Sequence, residues 1–146
     1  MIEYRSTFGY FVFLNGCPIA MRSKLSPCVL KSSGHAEYYA ANMCCEEVQL
    51  YRELLENMGF IQEGPSILHE DNQTCIAIIK GTSSAGNNKF VAQRYHAIRD
   101  LYRLGVIFPV YVPTDEQKAD MLTKALGPTK FWEQTNDIMI YKDSFD

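Results

Sequence analysis

Three acidic residues stand in three different local settings of this 146-residue chain. Glu37 opens a long amphipathic stretch, Asp71 follows a short apolar run, and Asp120 comes after a proline and a helix-start signal. A glutamate at the start of a helix, an aspartate at a strand end and an aspartate within a helix can converge on one divalent cation. Carboxylate oxygens suit a hard cation such as Mg²⁺. These three residues are therefore the candidate metal ligands.

The position of Glu37 supports this interpretation. It precedes Ala40 and Ala41 by three and four residues, so it lies on the apolar stripe of the predicted helix. A buried carboxylate there is costly unless a cation or a cap compensates it. The alternative is that Glu37 only complements the helix dipole from the first turn.

The composition is that of one globular domain. Hydrophobic residues make up 47% and charged residues 21% of the chain, which argues against disorder. The net charge of −3 argues against a nonspecific nucleic-acid binder, but an enzyme can use a local basic patch. Basic residues gather at Lys89, Arg94, Arg99 and Arg103. Two interpretations remain open for them, a solvated helix face and a phosphate-contacting one.

The cysteines and the absence of long apolar runs indicate the compartment. Five cysteines without a CxxC pair are typical of small buried thiols in a reducing cytosol or nucleus. No apolar run reaches the roughly 20 residues of a membrane span, and the start lacks an apolar signal core. We expect an intracellular protein, cytoplasmic or nuclear, that does not enter membranes.

The first half of the chain predicts a strand meander and a long helix. Residues 8–14 and 17–22 are strand-like and flank Asn15-Gly16, a dipeptide favoured in two-residue hairpin turns. Residues 28–31 form a third extended piece. A helix with a serine cap then runs from about residue 33 to Gly59.

The second half predicts alternating strands and helices. Residues 67–70 read as a buried strand that ends at Asp71, and helices follow at about 73–80 and 90–104, separated by a flexible loop. Residues 106–112 form a strand that Pro109 confines to a sheet edge or a bulge. A capping box at Thr114 predicts a helix that carries Asp120, and a last short helix covers 129–134.

This order predicts an α/β fold with a mixed sheet flanked by helices. We assign residues 1–146 to a single domain, which consists of a strand meander (1–31), a helix and strand body (32–127), and a C-terminal helix and tail (128–146).

The ordered motifs resemble the ribonuclease H domain of copia-type retrotransposon Pol polyproteins. The similarity covers the hairpin (6–16), a Ser-Lys pair (23–24), the helix start (32–38), an Asp-Asn-Gln box (71–73), an Arg-Tyr-His-x-Ile-Arg segment (94–99) and a Tyr-Val-Pro-Thr-x-x-Gln-x-Ala-Asp-x-Leu-Thr-Lys run (111–124). Each motif is short, but the ordered set is specific.

The resemblance implies a metal-dependent nuclease. Domains of this family use four carboxylates and two Mg²⁺ ions to cleave the RNA strand of RNA–DNA hybrids. Glu37, Asp71 and Asp120 correspond to the second, third and fourth acids and are the candidate catalytic and metal-binding residues, with Mg²⁺ or Mn²⁺ as the cofactor. The implied partner is an RNA–DNA hybrid.

Several features depart from the family pattern. The family's first strand, which carries the first acid and lies mid-sheet, has no counterpart before the hairpin. Glu70 stands where the family has a small residue or cysteine, and a histidine and an acid are missing before the third helix, at residues 89–92. The alternative to an active enzyme is therefore a catalytically inactive remnant or host-adopted domain that binds nucleic acid or protein.

The missing strand has three candidate replacements. The tail, residues 138–144, is an apolar run that could fill the gap and present Asp143. A reverse transcriptase domain of a longer polyprotein, or a homodimer partner, could supply the strand instead. The alternative interpretation of the tail is a frayed terminus.

Overall fold

The computed structural model describes residues 6–26, 33–82 and 89–138. It begins with a hairpin of β1 (Thr7–Leu14) and β2 (Cys17–Leu25), which pair antiparallel. Asn15 and Gly16 both have positive φ, at 49° and 80°, as a two-residue hairpin turn requires. A register shift between Val12 and Phe13 marks a bulge. The predicted hairpin is therefore present.

Helix α1 (Ser33–Asn57) is the longest element and ends where the sequence predicts. Gly59 has φ of 90°, and Phe60 N donates to Leu55 O at 2.8 Å, which closes the last turn. A left-handed residue after a helix favours glycine, because glycine has no Cβ to clash.

A second pair of strands follows, with two helices between its members. These elements are β3 (Ser66–Glu70), α2 (Gln73–Lys80), α3 (Lys89–Arg103) and β4 (Ile107–Tyr111). β3 and β4 are parallel, with Leu68 opposite Pro109. The last helix, α4 (Pro128–Ile138), extends beyond the predicted residues 129–134.

The core lies between α1 and the two strand pairs. The larger buried cluster joins α1 to α2, α3 and β4, and its members are Tyr38, Ala41, Cys45, Cys75, Ile78, Ile79, Ile98 and Ile107. A smaller cluster of Tyr10, Val12 and Cys44 joins α1 to β1. Leu68 packs against both clusters, so α1 and β3 connect them.

Three cysteines have the burial that the sequence suggested. Cys44, Cys45 and Cys75 are buried, whereas Cys17 is exposed. Burial raises the pKa of the Cys44 thiol to about 12, so this thiol stays protonated and unreactive at neutral pH.

The helix predicted from the capping box at Thr114 is wrong. The chain instead forms two short 3₁₀ helices, Thr114–Glu116 and Lys118–Leu122, whose N-cap residues, Pro113 and Gln117, make no side-chain capping hydrogen bond. Gln117 between them is extended, with ψ of 104°. Its side chain donates to His69 O at 3.1 Å and its carbonyl accepts from Gln134 Nε2 at 3.4 Å. These contacts with the end of β3 and with α4 interrupt the helix.

The predicted α/β class is confirmed, with the strands divided between two separate pairs in the described residues. The third strand predicted at 28–31, the loop at 83–88 and the tail from residue 139 lie outside them. None of the helices in the described ranges has the length and apolarity needed to cross a membrane.

Gly9 tests the packing of β1 against the segment that carries Asp120. A Cβ at Gly9 would lie 2.7 Å from Leu122 Cβ and 3.0 Å from Arg22 O. We expect Gly9→Ala to lower the free energy of unfolding by about 1–3 kcal/mol, because the added methyl overpacks this contact. Urea denaturation measures the change.

Gly64→Ala is the matched control, because its Cβ would meet no atom within 4 Å and Gly64 does not have positive φ. Equal stability of the two variants would show that β1 does not pack tightly on residues 122–123.

Candidate functional site

A cleft of about 1260 Å³ lies between the two strand pairs. We call it the central cleft. Every residue of β1 and β3 lines it, together with the apolar stripe of α1 and residues from 116 to 124. Its acidic end contains Glu37, Glu70, Asp71 and Asp120, because the start of α1 and the end of β3 meet there.

Three of these acids form a cluster. Glu37, Glu70 and Asp71 each contribute a carboxylate oxygen, and these oxygens all lie within 4.8 Å of one another. The structure thus brings together two of the predicted acids, Glu37 and Asp71. It adds Glu70, which the sequence analysis did not propose as a ligand.

Asp120 lines the same cleft but is not a member of this cluster among the described residues. Its side chain is buried, and Oδ1 accepts from Lys124 Nζ at 3.1 Å. Asp120 still raises the pKa of Glu37 through its charge, so the two carboxylates interact electrostatically.

The turn after β3 positions the cluster. Asn72 is the N-cap of α2, and its Oδ1 accepts from Cys75 N at 3.1 Å. The backbone N–H of Asn72 donates to Glu70 Oε1 at 3.0 Å, and its side chain hydrogen-bonds to Glu37. Asn72 therefore starts a helix and connects two of the three clustered acids.

Glu37 lies in the second turn of α1, since no acidic residue occupies the first turn. The helix dipole acts mainly within the first turn, so its field is a weak explanation for this glutamate. Burial raises the pKa of Glu37, and the nearby charges of Asp71 and Asp120 raise it further. The Asn72 hydrogen bond and the charge of Lys124 oppose this shift.

The surroundings of Glu70 shift its pKa strongly upward. Burial is the main cause that raises its pKa to about 8, and the charges of Glu37 and Asp71 add to the shift. The hydrogen bond from the Asn72 backbone acts in the opposite direction. Glu70 is therefore protonated in most molecules at pH 7.

The donor set fits a hard divalent cation. All cluster ligands are carboxylate oxygens, which Mg²⁺ and Mn²⁺ favour. Glu37 Oε2 is buried without a hydrogen-bond partner, an arrangement that is costly for an isolated carboxylate. A cation held by Glu37, Glu70 and Asp71 would satisfy this oxygen and neutralise the repulsion between the acids.

The alternation of inward and outward side chains along β3 could have identified Glu70 as a buried acid. In β3, Ser66, Leu68 and Glu70 are less exposed than Ile67 and His69, so they share the inward face. Leu68 packs against both core clusters, and Glu70 follows it by two residues. An acid at the inward end of a buried strand is expensive without a partner.

Of the basic residues predicted to gather on α3, Arg99 has a structural role. Arg99 Nε donates to Ile78 O at 2.6 Å and links α3 to α2. Arg103 lies near Asp100 at 3.8 Å in an exposed pair. The side chains of Lys89 and Arg94 lie outside the described residues.

The sequence of this chain is similar to parts of several retrotransposon polyproteins. The Retrovirus-related Pol polyprotein from transposon RE2 of Arabidopsis thaliana is 32% identical over 140 residues, which is 96% of this chain and 10% of the relative. The corresponding polyprotein from transposon RE1 of the same plant is 34% identical over 129 residues, 88% of this chain and 9% of the relative. This chain is homologous to a segment of retrotransposon Pol polyproteins.

More distant relatives occur in yeast. The Transposon Ty1-NL2 Gag-Pol polyprotein of Saccharomyces cerevisiae is 28% identical over 136 residues, which cover 91% of this chain and 8% of the relative. No protein-family profile matches the chain. The chain spans about a tenth of the length of the curated relatives that it matches, so it is similar to one retroelement-derived domain within them.

The raised pKa of Glu70 predicts a pH-dependent stability. The group is protonated in both folded and unfolded chains below its ordinary pKa of 4.5, so burial costs nothing extra there. As the pH rises from 4.5 to about 8, Glu70 loses its proton in the unfolded chain but keeps it in the folded chain, so the free energy of unfolding falls. Without metal, Glu70→Gln should therefore be more stable than the parent at pH 8, by on the order of a few kcal/mol.

This difference should vanish near pH 4. Thermal and urea unfolding in EDTA, at pH 4 and pH 8, measure it. Glu63→Gln, at an exposed loop position, should leave stability unchanged at both values. A Glu70→Gln variant that is less stable than the parent at pH 8 would contradict the assigned burial of a costly acid.

Proposed function

We propose that this chain is a ribonuclease H-like retroelement domain that cleaves the RNA strand of RNA–DNA hybrids with the help of Mg²⁺ or Mn²⁺. The cluster of Glu37, Glu70 and Asp71, with Asp120 in the same cleft, is the observation that carries the proposal. Homology to retrotransposon Pol polyproteins supports the retroelement origin.

The carboxylates would hold the cation in the cleft. A bound divalent cation supplies Lewis-acid chemistry, in which it lowers the pKa of water and stabilises charge on a leaving oxygen. Glu37 and Asp71 would provide ligands from two different elements, α1 and the end of β3. Asn72 keeps Glu37 in position through its side-chain hydrogen bond.

Glu70 gives the cluster a third carboxylate of its own. In the family pattern that this chain resembles, the corresponding residue is small or cysteine, and another acid comes from the first strand. Here Glu70 lies within 4.8 Å of both partners, a distance at which it can share their ligand. We propose that Glu70 provides the carboxylate that the first strand provides elsewhere.

Lysines that line the cleft suit a phosphate backbone. Lys124 pairs with Asp120, whereas Lys118 Nζ lies 5.6 Å from the centroid of the Phe13 ring. The side chain of Lys124 is 57% exposed, so its ammonium can face solvent while it pairs with Asp120. A local basic group offsets the net charge of −3, which otherwise repels nucleic acid.

A second candidate function is nucleic-acid binding without cleavage. The ion pair between Lys124 and Asp120 favours it, because a lysine ammonium at 3.1 Å occupies one carboxylate in the manner of a cation. In this case the acids would keep their geometry but would not assemble around an ion.

The hydrolysis of a labelled RNA–DNA hybrid tests the proposal. With Mg²⁺ or Mn²⁺, the parent chain should cleave the RNA strand, and Glu37→Gln, Glu70→Gln and Asp71→Asn should each lower the rate about a hundredfold or more. Each substitution removes a carboxylate that would hold the cation, and the cation would stabilise the charge of the transition state by several kcal/mol. Glu63→Gln is the charge-matched control and should cleave at the parent rate.

Hybrid binding measured on the same samples separates the two candidates. Binding without cleavage under either metal would favour the second function, and absence of both would overturn both. Cleavage that persists in Asp71→Asn would show that a contaminating nuclease, rather than this cluster, is responsible.

Metal binding is tested apart from activity by thermal unfolding. Addition of Mg²⁺ or Mn²⁺ at pH 8 should raise the Tm of the parent, because the ion binds the folded cluster and not the unfolded chain. The rise should be lost in Glu37→Gln and Asp71→Asn and kept in Glu63→Gln. An equal rise in all variants would mean that the ions bind elsewhere.

A further inference from the structure

Gln117 connects two segments that carry acids of the central cleft. Its side-chain Nε2 donates to His69 O at 3.1 Å, and His69 directly precedes Glu70 at the end of β3. Its backbone carbonyl accepts from Asp120 N at 3.2 Å. This second hydrogen bond opens the 3₁₀ helix Lys118–Leu122, which we call the Asp120 turn. One residue therefore contacts both the end of β3 and the turn that carries Asp120.

The carbonyl that Gln117 contacts points away from β4. Val112, the residue after β4, donates from its backbone N to Glu70 O at 3.0 Å, so the Glu70 carbonyl points toward that side. Carbonyl groups of successive residues in a strand point to opposite sides, so His69 O points the other way. The chain thus leaves β4, passes the end of β3 and attaches to its far edge through Gln117. This attachment fixes where the Asp120 turn begins.

Local hydrogen bonds shape the Asp120 turn but do not set its distance from β3. Asp120 O accepts from Thr123 N at 3.0 Å and from Thr123 Oγ1 at 3.2 Å. At the far end of the turn, Ser23 Oγ donates to Leu122 O at 2.6 Å, which ties that end to β2. Gln117 ties the near end to β3, the strand that ends at the other acids.

A small displacement of Asp120 would change what its carboxylate can reach. The residue is 7% exposed and lines the central cleft. Among the described residues, however, it is outside the group of carboxylates whose oxygens lie within 4.8 Å of one another. A misplacement of about 1 Å can cost an enzyme about a hundredfold in rate. A residue that sets the distance between Asp120 and the acid cluster would therefore control whether Asp120 can act on the same cation.

We propose that Gln117 is a positioning residue, which holds Asp120 at the distance from the acid cluster that metal-dependent cleavage requires. This inference rests on the proposed function, because the cation and the cleavage belong to that proposal. The extended backbone of Gln117, with φ of −73° and ψ of 104°, separates the two 3₁₀ helices and lets its side chain reach β3. Its amide is bonded to a protein carbonyl, so it acts through Asp120 and not on the nucleic acid.

Hydrogen–deuterium exchange in EDTA tests the link without metal or substrate. Gln117→Met keeps the length of the side chain without an N–H donor, and Gln117→Glu keeps its shape with acceptors only at neutral pH. In both variants the amide of Asp120 should exchange about tenfold faster than in the parent chain, because the turn opens more often without its attachment. The amides of α2 are the internal reference and should keep their parent rates if the variants fold.

Cleavage of a labelled RNA–DNA hybrid tests the consequence for function. Gln117→Met should lower kcat about tenfold or more and leave KM within about twofold, because the amide contacts the protein and not the substrate. In an Asp120→Asn background the same substitution should change kcat by less than about twofold, because the two residues would act as one unit. Gln49→Met is the matched control, since Gln49 is exposed on α1 and donates only to Glu53 among the side-chain bonds described. It should keep the parent kcat and the parent exchange of the Asp120 amide.

The outcomes separate this proposal from the proposed function. Parent exchange of the Asp120 amide in both variants would overturn it. Faster exchange in Gln117→Met alone would also overturn it, because side-chain packing and not the hydrogen bond would then hold the turn. A parent kcat in Gln117→Met, or a loss that is equally large in the Asp120→Asn background, would show that Gln117 does not act through Asp120. A parent chain without cleavage would remove the proposed function, and the exchange of the Asp120 amide would then decide alone whether Gln117 holds this turn.

Discussion

The packing of α1 against both strand pairs is the contact on which the rest of this structure depends. The hairpin of β1 and β2 shares no strand pairing with β3 and β4 in the described residues. One face of α1 buries Tyr38, Ala41 and Cys45 with the α2, α3 and β4 residues, while Cys44 packs with Tyr10 and Val12 of β1. Without this helix the two pairs would have no common core, since a two-stranded hairpin is marginal by itself. The same helix also brings Glu37 to the end of β3.

In the acid cluster, burial and the like charge of neighbouring acids both disfavour the ionised carboxylates. Glu37 and Glu70 lose water, and their neighbours carry like charge, so both carboxyl groups resist ionisation. Asn72 and Lys124 relieve only part of this cost, and Glu37 Oε2 keeps no partner. Natural sequences retain such costs mostly where a ligand or a reaction uses them. The divalent cation that we propose would match the charge and the oxygen donors of the site.

The cluster and the open cleft belong to one architectural feature. The central cleft runs from the acids to the apolar end of α1, and both strand edges follow it. The segment homologous to the retrotransposon Pol polyproteins includes all the elements that border the cleft, because the aligned residues cover 96% of the chain.

The sequence by itself determined the elements with strong local signals. Asn15-Gly16 fixed the hairpin, Gly59 ended α1, and the Asp71-Asn72-Gln73 box placed an acid between a strand and a capped helix. Long-range contacts decided the rest. Gln117, held by His69 and Gln134, interrupts the helix that the capping box predicted, and no local rule contains those partners. Glu70 and Asp71 lie close to Glu37 because α1 packs on β3, and this tertiary contact sets which carboxylates meet. Local propensities specify turns and caps, whereas distances between residues far apart in the chain depend on how the elements pack.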